Sequence, residues 1–88
     1  MEFEWDESKS RTNLAKHGVG FDSIRVFDFD TALYVLDRTM NYGEERWRAI
    51  GMINFRLYTV VFTERGDRTR VISLRKSTPP ERKLFYER

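Results

Sequence analysis

The sequence predicts an α+β fold: a small antiparallel sheet with the N-terminal helices on one face and a C-terminal helix at the end of the chain. Three observations carry this. The residues up to about 30 hold helix start and stop signals, whereas those after Asp30 fall into β-branched and aromatic runs. Two of those runs flank the short turn Arg65-Gly66-Asp67, as a hairpin requires. Finally, Pro79-Pro80 marks a helix start, because proline is tolerated in a first turn.

Taken in order, Met1, Phe3 and Trp5 alternate with Glu2 and Glu4, the period of a half-buried strand. Asp6 is a helix N-cap, since its short carboxylate can accept from the free N–H groups of a first turn. That helix runs to His17, with Gly18 as a left-handed stop. A second, shorter helix opens at Phe21-Asp22, with Asp22 as cap and Phe21 and Val26 in staple positions. Strands are expected over 32–38, 45–52, 57–64 and 69–75, with a turn over 39–43 and a terminal helix from Pro80 to Arg88. No repeat, linker or low-complexity tract interrupts residues 1–88, which read as one domain.

At 88 residues, the chain has one core and little spare stability. A hydrophobic content of 40% with 15% aromatic residues excludes disorder. Cysteine is absent, which excludes disulfides and thiolate metal sites and suits a reducing compartment. The longest relevant apolar run, Val60-Val61-Phe62, is far short of a membrane span, and the acidic N-terminus is unlike a secretory signal. The expected location is cytoplasmic, with no membrane partner.

The net charge of +2 hides an asymmetry. Residues 1–45 hold five Lys/Arg and ten Asp/Glu, whereas residues 46–88 hold eleven Lys/Arg and four Asp/Glu. A basic second half suggests a polyanionic partner such as nucleic acid. Mutual neutralisation of the two halves across the fold is the plain alternative, and charge alone leaves both open.

Alternation places Ile72 and Leu74 on one face of the last strand and Val71, Ser73 and Arg75 on the other. With Ile72 and Leu74 under the helices, Ser73 and Arg75 stand on an open face, where loss of the arginine should leave folding intact. Arg46 and Arg48 share one face of their own strand, with Trp47 and Ala49 opposite. Arginines beside a hydroxyl can cradle a phosphate, because guanidinium binds it bidentately; an ordinary solvated sheet face has the same pattern. Glu81 and Arg82 fall in the first turn of the last helix, where a carboxylate near Arg75 is a general base or an ion pair. His17 is the only histidine, and as a cation it would complement the helix dipole together with Lys16. With Asp28, Asp30 and Asp37 outside any ligand loop, no metal site or cofactor is expected.

An ordered series of local signatures runs through the chain: Trp5-Asp6, Lys9, Asn13, Lys16-His17-Gly18-Val19, Phe21 and Val26-Phe27-Asp28. Glu44-Glu45-Arg46, Ile50-Gly51, Val60-Val61-Phe62-Thr63-Glu64-Arg65, Arg70-Val71-Ile72-Ser73-Leu74-Arg75 and Glu81-Arg82 complete it. This series resembles the BrnT family of type II toxin–antitoxin toxins over nearly the whole chain. The resemblance implies a fold related to the RelE-type ribonucleases, a bacterial cytoplasmic setting and inhibition of translation by RNA cleavage. It also implies a cognate BrnA-like antitoxin, through which alone operator DNA is bound, and RNA, including ribosome-associated mRNA, as substrate. Family positions carry over to Lys16, His17, Arg46, Ser73, Arg75 and Glu81. Two departures stand out: Leu74 replaces a small residue between the serine and the arginine, and Phe85 takes the place of a terminal tyrosine, with Tyr86 following.

RNA cleavage without a metal uses the ribose 2′-OH as nucleophile, and needs a base, cations for the charge on phosphorus and an acid for the leaving oxygen. The expected catalytic residues are Arg75 and Arg46 as clamps, with Glu81, Lys16 and His17 for proton transfer. Ser73, Arg48, Lys76 and Arg82 are the expected RNA-binding residues. The rival classes are a non-catalytic nucleic-acid-binding module and an antitoxin-docking module; RNA binding without cleavage, or a partner complex without RNA affinity, would distinguish them.

Overall fold

The computed structural model describes residues 2–38 and 43–88. In chain order they form β1 (Glu2–Glu4), α1 (Glu7–His17), a 3-10 helix (Phe21–Val26), β2 (Leu33–Asp37), β3 (Arg46–Ile53), β4 (Arg56–Arg65), β5 (Arg68–Lys76) and α2 (Pro79–Tyr86). Each expected element is present, within a residue or two at most ends. The expected turn over 39–43 lies outside the described residues except for Gly43, whose φ is +75°.

The sheet is not simply antiparallel. Its order is β1-β5-β4-β3-β2, and β1 runs parallel to β5. β2 to β5 form an antiparallel meander, so β5 is left with a free edge for the N-terminal strand to fill. Charge supports that pairing: Arg70 Nη1 meets Glu4 Oε2 at 2.8 Å, and Arg68 lies 3.8 Å from Glu2. Phe3, between the two glutamates, turns inward to stack on Phe29.

Nor do the helices share one face. The 3-10 helix covers the first face, where Phe21 and Ile24 join Ala49, Ile53, Val60, Phe62, Val71 and Leu74 in the main core. α2 covers part of the second face, with Phe85 buried against Ile50 and Leu57. Strand alternation in β3 and β4 exposes apolar residues on both faces, so each needs its own cover. Gly51 lets the chain cross closely: a Cβ there would lie 2.8 Å from the Phe27 ring and 3.0 Å from the Asp28 carbonyl oxygen.

α1 lies at the sheet edge and is attached by polar groups, its buried residues being Ser10 and Asn13. β1 pairs with β5 only through Arg70, which leaves the next stretch of edge uncovered. Asn13 covers it: its Nδ2 donates to the Leu74 carbonyl at 2.6 Å, and its Oδ1 accepts from the Leu74 N–H at 3.4 Å. One amide side chain thus does the work of a missing strand, satisfying edge groups that would be costly to bury unpaired. Ser10 Oγ accepts from the Phe21 N–H at 2.9 Å and fixes the start of the 3-10 helix.

The caps match in part. Asp6 accepts from Ser8 and Lys9, and Gly18 closes α1 at φ +76°. Asp22 does not cap the second helix: the residue before it is Gly20, with no side-chain cap, and Val26 is 61% exposed rather than stapled. α2 carries a full capping box in Thr78 and Glu81, which the Thr-Pro-Pro-Glu spacing encodes.

Strict alternation also fails in β5. Val61 pairs with Ser73 but Phe62 pairs with Val71, so Ile72 is an extra residue at a bulge. The bulge puts Val71 with Leu74 on the core side and leaves Ser73 and Arg75 opposite. Leu74 is therefore a core residue with no exposed surface, pointing away from the candidate site.

Candidate active site

On the second face, register builds two adjacent rows. One reads Val35, Arg48, Val61, Ser73, and the next reads Leu33, Ile50, Thr59, Arg75. Arg46 lies beyond them opposite Asp37 at one end of β3, near Glu44 at 3.5 Å. The sheet thus brings Arg46, Arg48, Ser73 and Arg75 to one face, as alternation predicts.

α2 adds the decisive group. Its first turn lowers Glu81 over Thr59, between the two flanking strands, so that it is only 2% exposed. Arg75 grips this carboxylate with both ends of its fork, Nη1 to Oε1 at 2.7 Å and Nη2 to Oε2 at 3.0 Å. Arg48 Nη1 reaches Oε2 from the other side at 2.9 Å. Thr59 Oγ1 donates at 3.0 Å and the Thr78 N–H at 2.9 Å, while Ser77 Oγ hydrogen-bonds Thr59 Oγ1 at 2.8 Å. Burial alone would push the Glu81 pKa up, but the hydrogen bonds from Arg75, Thr78 and Arg48 outweigh it and hold it at about 2. The hydrogen bond to Glu81 likewise raises Arg75 further. One anion between two guanidinium groups leaves a net positive charge on a face that α2 covers only in part.

Arg75 is thus not a free strand-end residue. Its side chain is 26% exposed and bonded to a buried carboxylate, so the expectation that folding ignores its loss is corrected. Arg75→Ala would leave Glu81 short of its main counter-charge, and breaking a buried pair costs about 3–5 kcal/mol.

Lys16 and His17 reach the region from the side. Together with Lys9, Ile72 and Ser73 they line a cleft between α1 and the outer edge of β5. Burial, the Lys16 charge and the Arg75 charge lower the His17 pKa, which works against its expected role as a cationic dipole partner. The shift favours the neutral ring, the form that can accept a proton.

Lys76 and Arg82 fall elsewhere. They line a separate cleft with Phe55, Arg56 and Tyr86, and Arg82 Nη1 donates to the Ser77 carbonyl at 2.8 Å. Thr59 and Ser77, absent from the expected set, belong to the Glu81 cluster. Their signal was pairing: Thr59 faces Arg75 across the β4–β5 ladder. Basic groups do pair across the two halves of the chain, through Glu2, Glu4 and Glu44, so neutralisation accounts for part of the asymmetry.

An α+β fold that fixes arginines on a half-covered sheet face, beside an imidazole of lowered pKa, presents positive charge of the kind that suits an anionic group such as phosphate. The comparison with family models makes this specific: residues 5–81 match the ribonuclease toxin BrnT of type II toxin–antitoxin systems, and the chain belongs to that family. It is therefore a ribonuclease-type toxin, which brings with it an antitoxin partner and an RNA target. No curated protein sequence matches the chain. The matched segment ends on Glu81, so it spans the whole ion cluster but not Phe85 and Tyr86. Among the described residues, no helix is long and apolar enough to cross a membrane.

Proposed function

We propose that the chain is a metal-independent endoribonuclease that inhibits translation by cutting mRNA in the bacterial cytoplasm, and that a BrnA-like antitoxin silences it and carries it to operator DNA. The observation that carries this reading is the buried Glu81 carboxylate holding Arg75 and Arg48 by hydrogen bonds of 2.7–3.0 Å. Their side chains remain 26% and 24% exposed, so both present charge to the open part of the face. Such fixed donors stabilise charge that develops on a phosphate without reorganising during the reaction.

In this mechanism a ribose 2′-oxygen attacks the adjacent phosphorus while its proton passes to the neutral His17 ring. The bond from phosphorus to the 5′-oxygen breaks, and Lys16 protonates the departing oxygen. Arg75, Arg48 and Arg46 stabilise the phosphorane charge, and Ser73 can hydrogen-bond a phosphate oxygen. Glu81 acts as a positioning residue: it is buried, ionised and occupied by five donor groups, which suits holding arginines better than moving protons. The products would be a 2′,3′-cyclic phosphate and a 5′-hydroxyl. The test is end-group analysis of RNA cut by the purified protein in excess chelator. Cyclic phosphate ends support the reading; 3′-hydroxyl ends, or activity that the chelator abolishes, would overturn it.

A further inference from the structure

The cleft that holds Lys76 and Arg82 is not used by the mechanism above, although it adjoins the arginine cluster directly. Lys76 follows Arg75 in the chain, and Arg82 follows Glu81. Its far wall is the β3–β4 hairpin, where Ile53 pairs with Arg56 across a turn of Asn54 and Phe55. Asn54 takes the left-handed φ of +55° that such a tight turn needs and that asparagine tolerates. Phe55 has no comparable reason to be at the tip, and it is 98% exposed. A second ring, Tyr86, lines the same cleft at 66% exposure, steadied edge-on against buried Phe85 at 5.4 Å. Three cations, Arg56, Lys76 and Arg82, lie among these rings, and none of the described residues lining the cleft is acidic. Arg82 is held in place by its bond to the Ser77 carbonyl.

We infer that this cleft is an RNA subsite: Phe55 and Tyr86 stack unpaired bases, and Arg56, Lys76 and Arg82 take the backbone phosphates of nucleotides flanking the cut. The inference rests on the RNA-cleavage reading and extends it from one phosphate to a strand several nucleotides long. Two exposed rings amid unopposed cations are what single strands require, because every base has a face to stack and every phosphate a charge. A duplex hides its base faces, so the site selects single-stranded RNA. A protein partner with an acidic aromatic-binding segment is the rival occupant.

The test uses a labelled single-stranded 2′-O-methyl RNA of roughly a dozen nucleotides, within the range of known single-strand sites, which cannot be cut by a 2′-OH mechanism. Phe55→Ala is structurally silent at its exposure, and it should weaken binding about tenfold. Lys76→Ala should lower the slope of log affinity against log salt by about 0.7, the share of one phosphate contact. Cleavage of a dinucleotide, too short to span from the arginine cluster to the hairpin tip, should be unchanged in Phe55→Ala. Parent-like RNA binding by Phe55→Ala and Tyr86→Ala would overturn the inference. Loss of antitoxin binding with RNA affinity intact would also overturn it and assign the surface to the protein partner. Should the parent cut no RNA, the mechanism fails, while the binding comparison still decides the subsite.

Discussion

Replacing Glu81 with glutamine isolates what the buried anion does. Glu81→Gln keeps the shape and lets an amide oxygen accept from the Thr78 N–H, but removes the charge shared by Arg75 and Arg48. A carboxyl held at about 2 rather than its ordinary 4.5 represents about 3 kcal/mol of folded-state stability. Because the folded pKa is depressed, that stability is fully present above pH 4.5 and drains away as pH falls toward 2. At pH 7 the variant should therefore melt roughly 12–24 °C below the parent, taking about 4–8 °C per kcal/mol for a domain of this size. The gap should shrink to less than half by about pH 3, where the parent has begun to lose the same contribution. Thermal unfolding followed by circular dichroism across that range reads both effects. A small gap at pH 7, or one that pH does not change, would refute the argument that Glu81 is an ionised anchor.

Other consequences are simpler to state. Asn13→Ala should cost about 1–3 kcal/mol by leaving the Leu74 edge groups unpaired, measurable by denaturant unfolding. Its loss should also raise hydrogen exchange at the Leu74 amide, whereas exchange unchanged from the parent would place the edge cover elsewhere. With His17 as the base, kcat/KM should rise through an acidic limb centred below the ordinary histidine value of 6.5, since burial, Lys16 and Arg75 lower its pKa. His17→Asn should remove that limb and cost about 10²–10⁴ in rate; an intact limb would exclude His17.

The element sequence was legible because its signals are local: Asp6 and Gly18 bracket α1, and the Arg65-Gly66-Asp67 turn joins two β-rich runs. Alternation also put Arg46, Arg48, Ser73 and Arg75 on one face, because β3 and the upper part of β5 are regular. Long-range choices were not legible. Nothing in Phe3 or Trp5 says that β1 will pair parallel to β5, since that partner is set by which edge the meander leaves open. The bulge at Ile72 reversed Val71, and one inserted residue is invisible to a period count. Arg75 looked exposed because its partner Glu81 comes from α2, which packs over Ile50 and Thr59 in Arg75's own row. Lys76 looks like part of the Arg75 run, but a strand sends neighbouring side chains to opposite faces, and Arg82, on α2, lines the same separate cleft as Lys76.

In the proposed mechanism Arg75 stabilises the transition state of RNA cleavage while Glu81 holds it in position. Arg75→Lys tests it most directly, because lysine preserves a cation for Glu81 and removes the bidentate fork. Cleavage rates of purified parent and variant should be measured alongside their melting temperatures. The expected result is a loss of about 10²–10³ in kcat with the fold retained, the usual cost of one transition-state donor. Cleavage at the parent's rate by a folded Arg75→Lys protein would contradict the account.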